Sequence, residues 1–354
     1  MRIAITGASG NVGTALLRRL SGSGHDLVGV ARRIPAGEPY RDVSWHSVDL
    51  AEADAATTLS TAFAGVDTVV HLAWGFQPSH NVDYLYRLGV GGTAAVLQAA
   101  RTAGVRHLIH MSSVGAYSRA PGRRVEETAA REGIPSLAYS LHKAEAERLL
   151  DTYERQAGRA GMLISRLRPG FVVQPDAASA LLRYGLPGYL PARILTLLPI
   201  LPLDRRLCIP VVHSDDLADG IARVIQRRAG GAFNFAGEPP ITRDDIAAAL
   251  GARPVQVPAR ALSLLAGVGW RVRLQALDPG WIDLAFSVPL LNTSRARTEL
   301  EWTPAIDSRQ ALSMTIEAMA HRRGADSPVL RARSAPDQLR KLLTSGPLGN
   351  RRLP

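Results

Sequence analysis

The sequence predicts an α/β protein, with a doubly wound parallel sheet and a smaller, discontinuous lobe toward the carboxyl end. Three observations favour this fold class. Short apolar runs alternate with helix-like segments through the first half of the chain. The first run leads directly into a glycine-rich turn, and the pattern loosens into proline-rich sequence after Pro175. Strands that alternate with helices indicate parallel pairing, with helices on both faces of the sheet.

The predicted elements follow one another in a regular order. The strand-like runs of the first half are "RIAIT", "DLVGVA", "DTVVHLAW", "HLIHMSS" and "GMLISRLRPGFVV". Helix-like segments are Val12 to Ser21, "GGTAAVLQAARTAG" and Ala138 to Ala157. Later, "LCIPVVHSDDLADGIARVIQRR" predicts a strand, a turn with an Asp helix cap and a helix, and "AFNFAG" predicts one more strand. We predict a large α/β domain over 1–175, rejoined by 205–237, a smaller lobe from 176–204 and 238–321, and a basic flexible tail over 322–354.

Composition limits the classes of function. With 46% hydrophobic and 21% charged residues among 354, the chain is typical of a globular protein. A single cysteine, Cys208, excludes a disulfide framework and a cysteine-based metal site, and the nine histidines show no metal-ligand spacing. We therefore expect no metal.

The net charge of +11 is concentrated near the carboxyl end. Residues 322–354 hold eight basic and two acidic side chains. Either this tail is a mobile, solvated terminus, or it makes a weak electrostatic contact with nucleic acid or anionic lipid. The tail has no aromatic residue to stack on bases, so we expect no nucleic-acid partner.

No secretory signal and no membrane span are expected. The first strand pattern runs straight into the glycine turn without an apolar h-region. The most apolar stretch, Ala180 to Leu203, is interrupted by four prolines and two arginines. We expect a cytoplasmic protein. The stretch from Leu181 to Leu203 and the run "ALSLLAGVGW" are interpreted either as a lid over a substrate pocket or as ordinary core of the smaller lobe.

The turn after the first strand has the pattern of a phosphate-binding loop. In "TGASGNVG", Gly7, Gly10 and Gly13 follow a strand and open a helix. Glycines at this spacing permit a tight turn and let backbone N–H groups approach a pyrophosphate, while the helix N-terminus supplies partial positive charge. Position directly after the first strand makes this signal strong.

The end of the second strand favours NADP over NAD. A site for NAD usually has a carboxylate about 20 residues after the glycines. Here the sequence is "GVARRIPAG", with Arg32 and Arg33 in its place. A guanidinium donates to a phosphate in a bidentate manner, as the 2′-phosphate of NADP requires. The alternative is a pair of solvated surface arginines.

Tyr139 and Lys143 indicate an acid/base site. By count the chain has 40 arginines and two lysines, and one of those lysines follows a tyrosine by four positions on a predicted helix. This spacing places both side chains on one face. An ammonium about 4 Å from the phenol contributes about 4 kcal/mol at an effective dielectric of 20. We expect this charge to bring the pKa of Tyr139 toward neutral pH. The alternative is an exposed lysine beside a packing tyrosine.

Ser112 and Ser113 close the strand before this helix. A hydroxyl at the carboxyl end of a strand can bond a substrate oxygen.

Together these motifs resemble the extended short-chain dehydrogenases/reductases of the NAD-dependent epimerase/dehydratase family. The resemblance covers about residues 1–320. The matching stretches are Thr6-Gly7-x-x-Gly10-x-x-Gly13, Asp49-Leu50, His71-Leu72-Ala73, Ser112-Ser113, Tyr139-x-x-x-Lys143, Arg168-Pro169, "VVHSDDLA", "FNFAGE" and "TELEWTP".

The resemblance implies a Rossmann fold, hydride transfer at nicotinamide C4 and a Ser-Tyr-Lys site. Ser113 would position the substrate oxygen, Tyr139 would be the acid/base, and Lys143 would tune Tyr139 and hold the ribose. The residues that would bind NADP, or NAD, are Gly7, Gly10, Asn11, Val12, Gly13, Arg32, Arg33, Asp49, Leu50, Leu72, Ala73, Tyr139 and Lys143. A homodimer is plausible for this family.

Three positions depart from the family pattern. Gly89 stands where members often carry Asn, which puts a proton relay through that Asn in doubt. Trp74 follows "HLA" where many have Ala, and an indole there would narrow or line the pocket. Phe171 stands in place of the Asn that nucleotide-sugar enzymes use near the substrate pyrophosphate.

These departures favour an NADP-dependent oxidoreductase that acts on a secondary alcohol or ketone of a fairly apolar small molecule. A nucleotide-sugar epimerase or dehydratase with a retained cofactor is the first alternative. The second is a non-catalytic regulator that senses the dinucleotide.

Overall fold

The computed structural model describes residues 1–75, 80–185, 199–272 and 278–332 of the chain. Its strands are β1 (Arg2–Thr6), β2 (Asp26–Ala31), β3 (Ser44–Ser47), β4 (Thr68–His71), β5 (His107–Met111), β6 (Arg124–Val125), β7 (Leu163–Pro169), β8 (Phe171–Val173), β9 (Ile200–Leu203), β10 (Cys208–Ile209), β11 (Val211–His213), β12 (Gly231–Phe235), β13 (Ile241–Thr242), β14 (Arg253–Gln256) and β15 (Leu290–Leu291).

The described helices lie between these strands. They are α1 (Asn11–Leu20), α2 (Ala55–Ala62), α3 (Val82–Tyr86), α4 (Gly92–Thr102), α5 (Ala138–Ala157), α6 (Ala178–Gly185), α7 (Ser214–Arg227), α8 (Arg243–Leu250), α9 (Ala259–Arg271), α10 (Pro279–Ala285), α11 (Ser294–Glu299) and α12 (Ser308–Ala320). A π-helical turn spans Arg87–Gly91, and 3₁₀ turns span Val114–Ala116, Gly158–Ala160 and Pro175–Ala177.

A seven-stranded parallel sheet forms the centre of the fold. Its order is β12-β7-β5-β4-β1-β2-β3, and every pairing within it is parallel. The strand order reverses beside β1, so the carboxyl ends of β1 and β4 border the crevice where ligands bind in such folds. The predicted Rossmann-type fold class is confirmed, and the late strand β12 pairs with β7 at one edge of the sheet.

Two apolar cores lie on opposite faces of the sheet. On one face α1 and α7 pack with residues such as Leu16, Ile221 and Trp302. On the other face α2, α4 and α5 bury residues such as Leu59 and Val96. Because both faces are covered, the residues of these strands are almost all buried, rather than buried at alternate positions.

The predicted strand "GMLISRLRPGFVV" is two strands. The chain leaves the main sheet at Gly170, where a Cβ would lie 2.4 Å from the carbonyl oxygen of Pro210. Beyond this glycine, β8 pairs in parallel with β11 as a separate two-stranded sheet. Because the backbone of Pro210 lies so close, position 170 requires a residue without a side chain. Strand β7 ends just before this glycine.

The smaller lobe is only partly described. Most of the proposed lid from Leu181 to Leu203 lies outside the described residues. The run "ALSLLAGVGW" belongs to α9, which has no buried residue; Leu264 and Leu265 are 72% and 70% exposed. It is therefore not core of this lobe, and its interpretation as a lid stays a prediction. The division of the chain into two lobes also stays a prediction.

The described residues beyond α12, 322–332, pack against the glycine turn and neighbouring structure. Ser327 and Leu330 are buried, and the Ser327 hydroxyl donates to the Ser9 carbonyl in the glycine turn at 2.8 Å. Residues 322–332 thus lie in contact with folded structure, although the sequence placed them in a flexible tail. The remainder of that tail, 333–354, lies outside the described residues.

In the part of the chain that the structure covers, no helix combines the length and apolar character that crossing a bilayer requires.

Candidate active site

The glycine turn has no room for side chains at its first and third glycines. Gly7 has a φ of +71°, and a Cβ there would lie 2.7 Å from the backbone nitrogen of Ala73. A Cβ on Gly13 would lie 2.3 Å from the Gly7 carbonyl oxygen. The turn thus packs tightly against the end of β4. Gly10 is the N-cap of α1, and no side chain forms a capping hydrogen bond there. The first N–H groups of this ten-residue helix have no acceptor within the helix and suit a pyrophosphate, so these residues fit a dinucleotide.

Asn11 fastens this turn to the neighbouring β8 and α7. Its amide donates to the Val172 carbonyl at 3.1 Å, and its side-chain oxygen accepts from Gln174 and Ser214, both at 2.8 Å. The hydrogen bonds of the Asn11 side chain therefore hold the turn in place, and of this residue only the backbone N–H is left to bind a ligand. Val12 packs against the apolar core below the turn.

The arginines that follow β2 lie beside the same edge of the sheet. The Gly7 N–H donates to the Val30 carbonyl at 2.8 Å, so the turn and the end of β2 are adjacent. Arg32 donates to the Tyr84 hydroxyl at 2.7 Å and lies 3.9 Å from Asp49. Arg33 is exposed. Partial burial, followed by the charges of Arg32 and Arg331, lowers the pKa of the Arg33 guanidinium.

Leu50, Leu72 and Ala73 line the same edge. Leu50 is buried and packs against Gly92. A Cβ added at Gly92 would lie only 3.0 Å from the Leu50 Cβ, so the glycine leaves room for this leucine. The backbone N–H of Leu72 donates to the Thr6 carbonyl at 3.0 Å. The predicted cofactor residues from the glycine turn to Ala73 thus lie around the carboxyl ends of β1, β2 and β4, although their contact with a dinucleotide stays a prediction.

His71 is a neutral, structural histidine. Its Nδ1 lies 2.7 Å from the Thr6 hydroxyl and its Nε2 lies 3.1 Å from the Thr93 hydroxyl, which itself donates to the Gly89 carbonyl. Thr93 must then accept from Nε2–H, so Nδ1 accepts from Thr6. Burial, followed by the charge of Lys143, lowers the pKa of His71 to about 3.

Ser113, Tyr139 and Lys143 are brought together at the end of β5. Ser113 accepts a hydrogen bond from the Gly115 N–H at 3.0 Å and is hydrogen-bonded to the Tyr139 hydroxyl. Lys143, one turn further along α5, is buried and donates to the Met111 carbonyl at 2.7 Å. Helix α5 spans Ala138–Ala157, the same bounds that the sequence predicts. The two hydroxyls and the ammonium therefore share one buried region.

The expected lowering of the Tyr139 pKa is not found. Burial raises the pKa of this phenol to about 12, and the hydrogen bond with Ser113 opposes that effect only in part. Lys143 is itself buried, which lowers its pKa well below the ordinary value, while the charge of Glu147 raises it. Removal from water thus dominates the pKa of Tyr139, and the phenol holds its proton at neutral pH.

Aromatic side chains surround the Tyr139 ring. Its centroid lies 5.1 Å from that of Trp281 on α10 and 6.4 Å from that of Trp74. Phe171 and Leu284 belong to the same apolar cluster. The Tyr139 ring therefore lies against apolar side chains from α10, from β8 and from the segment after β4.

A buried ion pair beneath the site was not predicted. Glu147, on α5, accepts from Arg168 at 2.8 and 2.6 Å and from Arg131 at 2.9 Å. The Ser112 hydroxyl also donates to this carboxylate, in a very short hydrogen bond. Arg168 further donates to the Tyr117 hydroxyl at 2.9 Å. The spacing from Lys143 places Glu147 on the same helical face, but no local pattern indicated that Arg168 and Arg131 would be its partners.

Within the described ranges, no group of three or more His, Cys, Asp or Glu side chains is placed to hold a metal ion.

Comparison with known proteins gives a consistent relationship. The model of the NAD dependent epimerase/dehydratase family matches residues 3–236. An uncharacterized protein of Mycobacterium tuberculosis is 30% identical over 321 residues, which cover 88% of this chain and 29% of that protein. The chain thus spans less than a third of the length of this relative.

Two further matches extend over nearly the whole chain. A 4-hydroxy-2-methyl-3-oxo-4-farnesyl-3,4-dihydroquinoline-1-oxide ketoreductase of Stigmatella aurantiaca is 27% identical over 334 residues, covering 90% of this chain and 96% of that enzyme. The solved structure of UDP-glucose 4-epimerase from Thermus thermophilus, in complex with NAD, has a TM-score of 0.68 at 22% identity. The match covers 90% of this chain and 99% of that one. At this identity the structural likeness shows the shared fold alone.

Proposed function

Because the chain belongs to the NAD-dependent epimerase/dehydratase family, we propose that it is an NADP-dependent reductase of a ketone on a fairly apolar small molecule. The observation that carries the proposal is the position of the Tyr139 hydroxyl, which is hydrogen-bonded to Ser113 and lies among the rings of Trp281 and Trp74. When bound, NADPH supplies the hydride at nicotinamide C4. The groups of the chain then bind the substrate oxygen, exclude water and deliver a proton.

The proton is assigned to Tyr139. A phenol with a pKa of about 12 is an acid and a poor base at neutral pH, so the group is suited to protonating a carbonyl oxygen as it is reduced. Ser113, within hydrogen-bonding reach of the same phenol, would hold that oxygen. An epimerase begins instead by removing a proton from an alcohol, for which the buried phenol would first have to lose its own proton. This difference favours the reductase over the nucleotide-sugar epimerase.

The residues around Tyr139 favour an apolar substrate. Trp281 and Phe171 pack in the same apolar cluster as Tyr139, and such rings offer few of the hydrogen bonds that the hydroxyls of a sugar nucleotide make. A buried polar group that lacks a partner costs about 1–3 kcal/mol, so each unmatched sugar hydroxyl would weaken binding. The relative from Stigmatella aurantiaca, whose name specifies a farnesylated ketone, is consistent with this choice.

The preference for NADP is supported by a concentration of guanidinium groups. After partial burial, the charges of Arg32 and Arg331 are what lower the pKa of Arg33. Arg331 is held in the segment whose Ser327 hydroxyl donates to the Ser9 carbonyl of the glycine turn. Mutually repelling cations beside a nucleotide turn would be relieved by a phosphate dianion, which the 2′-position of NADP supplies and that of NAD does not.

The test uses Tyr139→Phe, which removes the hydroxyl and leaves the ring. We expect the wild-type protein to oxidise NADPH with aromatic or prenylated ketones, followed at 340 nm, and to release NADP in each cycle. The variant should bind NADPH with unchanged affinity and lose about 10²–10⁴-fold in turnover.

Two outcomes would contradict the proposal. A cofactor that stays bound and does not exchange during turnover of a nucleotide sugar would identify an epimerase. NADPH binding without turnover of any ketone or nucleotide sugar would indicate a dinucleotide sensor.

A further inference from the structure

Lys143 lies against the face of an indole. The Lys143 nitrogen is 3.4 Å from the centroid of the Trp74 ring, well within the roughly 6 Å over which a cation is attracted to an aromatic face. Trp74 lies three residues beyond His71, the last residue of β4, while Lys143 projects from α5. The contact therefore joins the segment that follows β4 to helix α5.

Gly89 is the residue that allows the indole to lie there. A Cβ at this position would be 2.9 Å from Cζ2 and 3.1 Å from Cη2 of Trp74, distances at which something must shift. The indole has little freedom to move, because Tyr139 and His110 also contact it edge-on, with centroids 6.4 and 6.3 Å away. Gly89 itself is buried in the π-helical turn Arg87–Gly91. Trp74 and Gly89, which both differ from the family pattern, therefore depend on each other, because the indole occupies the space that a side chain at 89 would take.

The charged surroundings of Lys143 explain why such a contact matters. Burial disfavours its ammonium, and Glu147, the carboxylate that favours it, is already shared by Arg168 and Arg131. The titratable groups on the neighbouring strands are His71 and His110, whose pKa values burial lowers, so both are neutral near pH 7. The indole face offers negative potential to the ammonium without adding a competing charge.

We infer that Trp74 is a positioning residue for Lys143. The indole of Trp74 keeps the buried ammonium of Lys143 charged and in place, and Gly89 leaves the space that this indole requires. The inference rests on the proposed function only in that Lys143 serves the dinucleotide and Tyr139. An alanine at 74 has no aromatic face and could not make this contact.

The scarcity of lysine makes the contact directly measurable. The chain has two lysines, Lys143 and Lys341, so a protein labelled with ¹³C in lysine gives two side-chain signals by NMR, and Lys341→Arg leaves one. In that background we expect Trp74→Leu to lower the pKa of Lys143 by about half a unit to one and a half units, as a lost cation–π contact predicts. Trp74→Phe, which keeps an aromatic face, should lower it less.

A matched control and a second perturbation complete the experiment. Trp281→Leu removes the other indole beside Tyr139 and should leave the Lys143 titration in place. Gly89→Ala should displace the indole and lower the pKa of Lys143 in the same direction. Combining Gly89→Ala with Trp74→Leu should add nothing to Trp74→Leu alone, since both changes remove one contact.

The inference is overturned if Trp74→Leu folds and Lys143 titrates as before, or if Gly89→Ala and Trp74→Leu act additively. Should Trp74→Leu fail to fold, Trp74→Phe and Gly89→Ala still decide, because unchanged titration in both contradicts the inference. Lys143 titrates without substrate. A failed inference therefore appears in the NMR signal, whereas a failed functional proposal appears in NADPH binding and ketone turnover.

Discussion

Glu147→Gln is expected to destabilise the protein severely although the side chain keeps its shape. The Glu147 carboxylate is 0% exposed and accepts two hydrogen bonds from Arg168, whose side chain is 2% exposed. An amide at this position carries no charge and turns an N–H₂ group toward a guanidinium that can only donate. The substitution therefore leaves Arg168 as a buried cation without its main counter-charge.

Two independent estimates give the magnitude. Breaking a buried ion pair by removing one partner costs about 3–5 kcal/mol. Burial alone would raise the pKa of Glu147, but the bonds and charge of Arg168, with Ser112 and Arg131, lower it from 4.5 to about 2. At 1.36 kcal/mol for each pKa unit this corresponds to about 3 kcal/mol. Because the folded pKa lies below the unfolded one, this stabilisation is complete above about pH 4.5 and is lost as the pH falls toward 2.

Urea unfolding at pH 7 and pH 3 measures both features. We expect the free energy of unfolding to fall by about 3 kcal/mol at pH 7, and the difference between wild type and variant to shrink to about half at pH 3. Glu299→Gln is the matched control, since Glu299 forms an exposed pair with Arg295 at 2.8 Å and should cost less than about 1 kcal/mol. A Glu147→Gln cost no larger than that of the control, or one that does not change with pH, would refute the reasoning.

Two further predictions concern the nucleotide site. Arg33→Ala and Arg331→Ala should each weaken NADPH binding about tenfold, the loss of one charge-assisted hydrogen bond, and change NADH binding less than about twofold in fluorescence titrations. The control is Arg148→Ala, which removes an exposed arginine on α5. Equal losses of NADPH and NADH binding in the Arg33 and Arg331 variants would contradict a 2′-phosphate contact. Gly13→Ala should abolish binding of both nucleotides and lower Tm, because its Cβ would meet backbone at 2.3 Å. Gly10→Ala, where the contact would be 3.2 Å, should be milder, and equal effects of the two would argue against the packing explanation.

Local sequence determined the elements and the family. Strand β2 and helix α5 have the bounds that the pattern predicts, because apolar periodicity and helix-forming residues act over neighbouring positions. The glycine spacing and the Tyr-x-x-x-Lys spacing were also readable, since one turn or one helical face fixes each of them. The same information gave no sign that Gly170 ends β7, because the backbone it must admit comes from Pro210.

Only the tertiary structure decided what surrounds the reactive groups. Glu147 meets Arg168 across 21 positions, Trp74 reaches Gly89 across 15, and Ser327 reaches Ser9 across 318. The pKa of Tyr139 depends on burial, which comes from elements as far apart as β4 and α10, and burial reversed the direction that the helical spacing alone implied. Propensity and spacing act through the chain, whereas desolvation and ion pairing act through space, so strand order and packing must be known before their balance can be worked out.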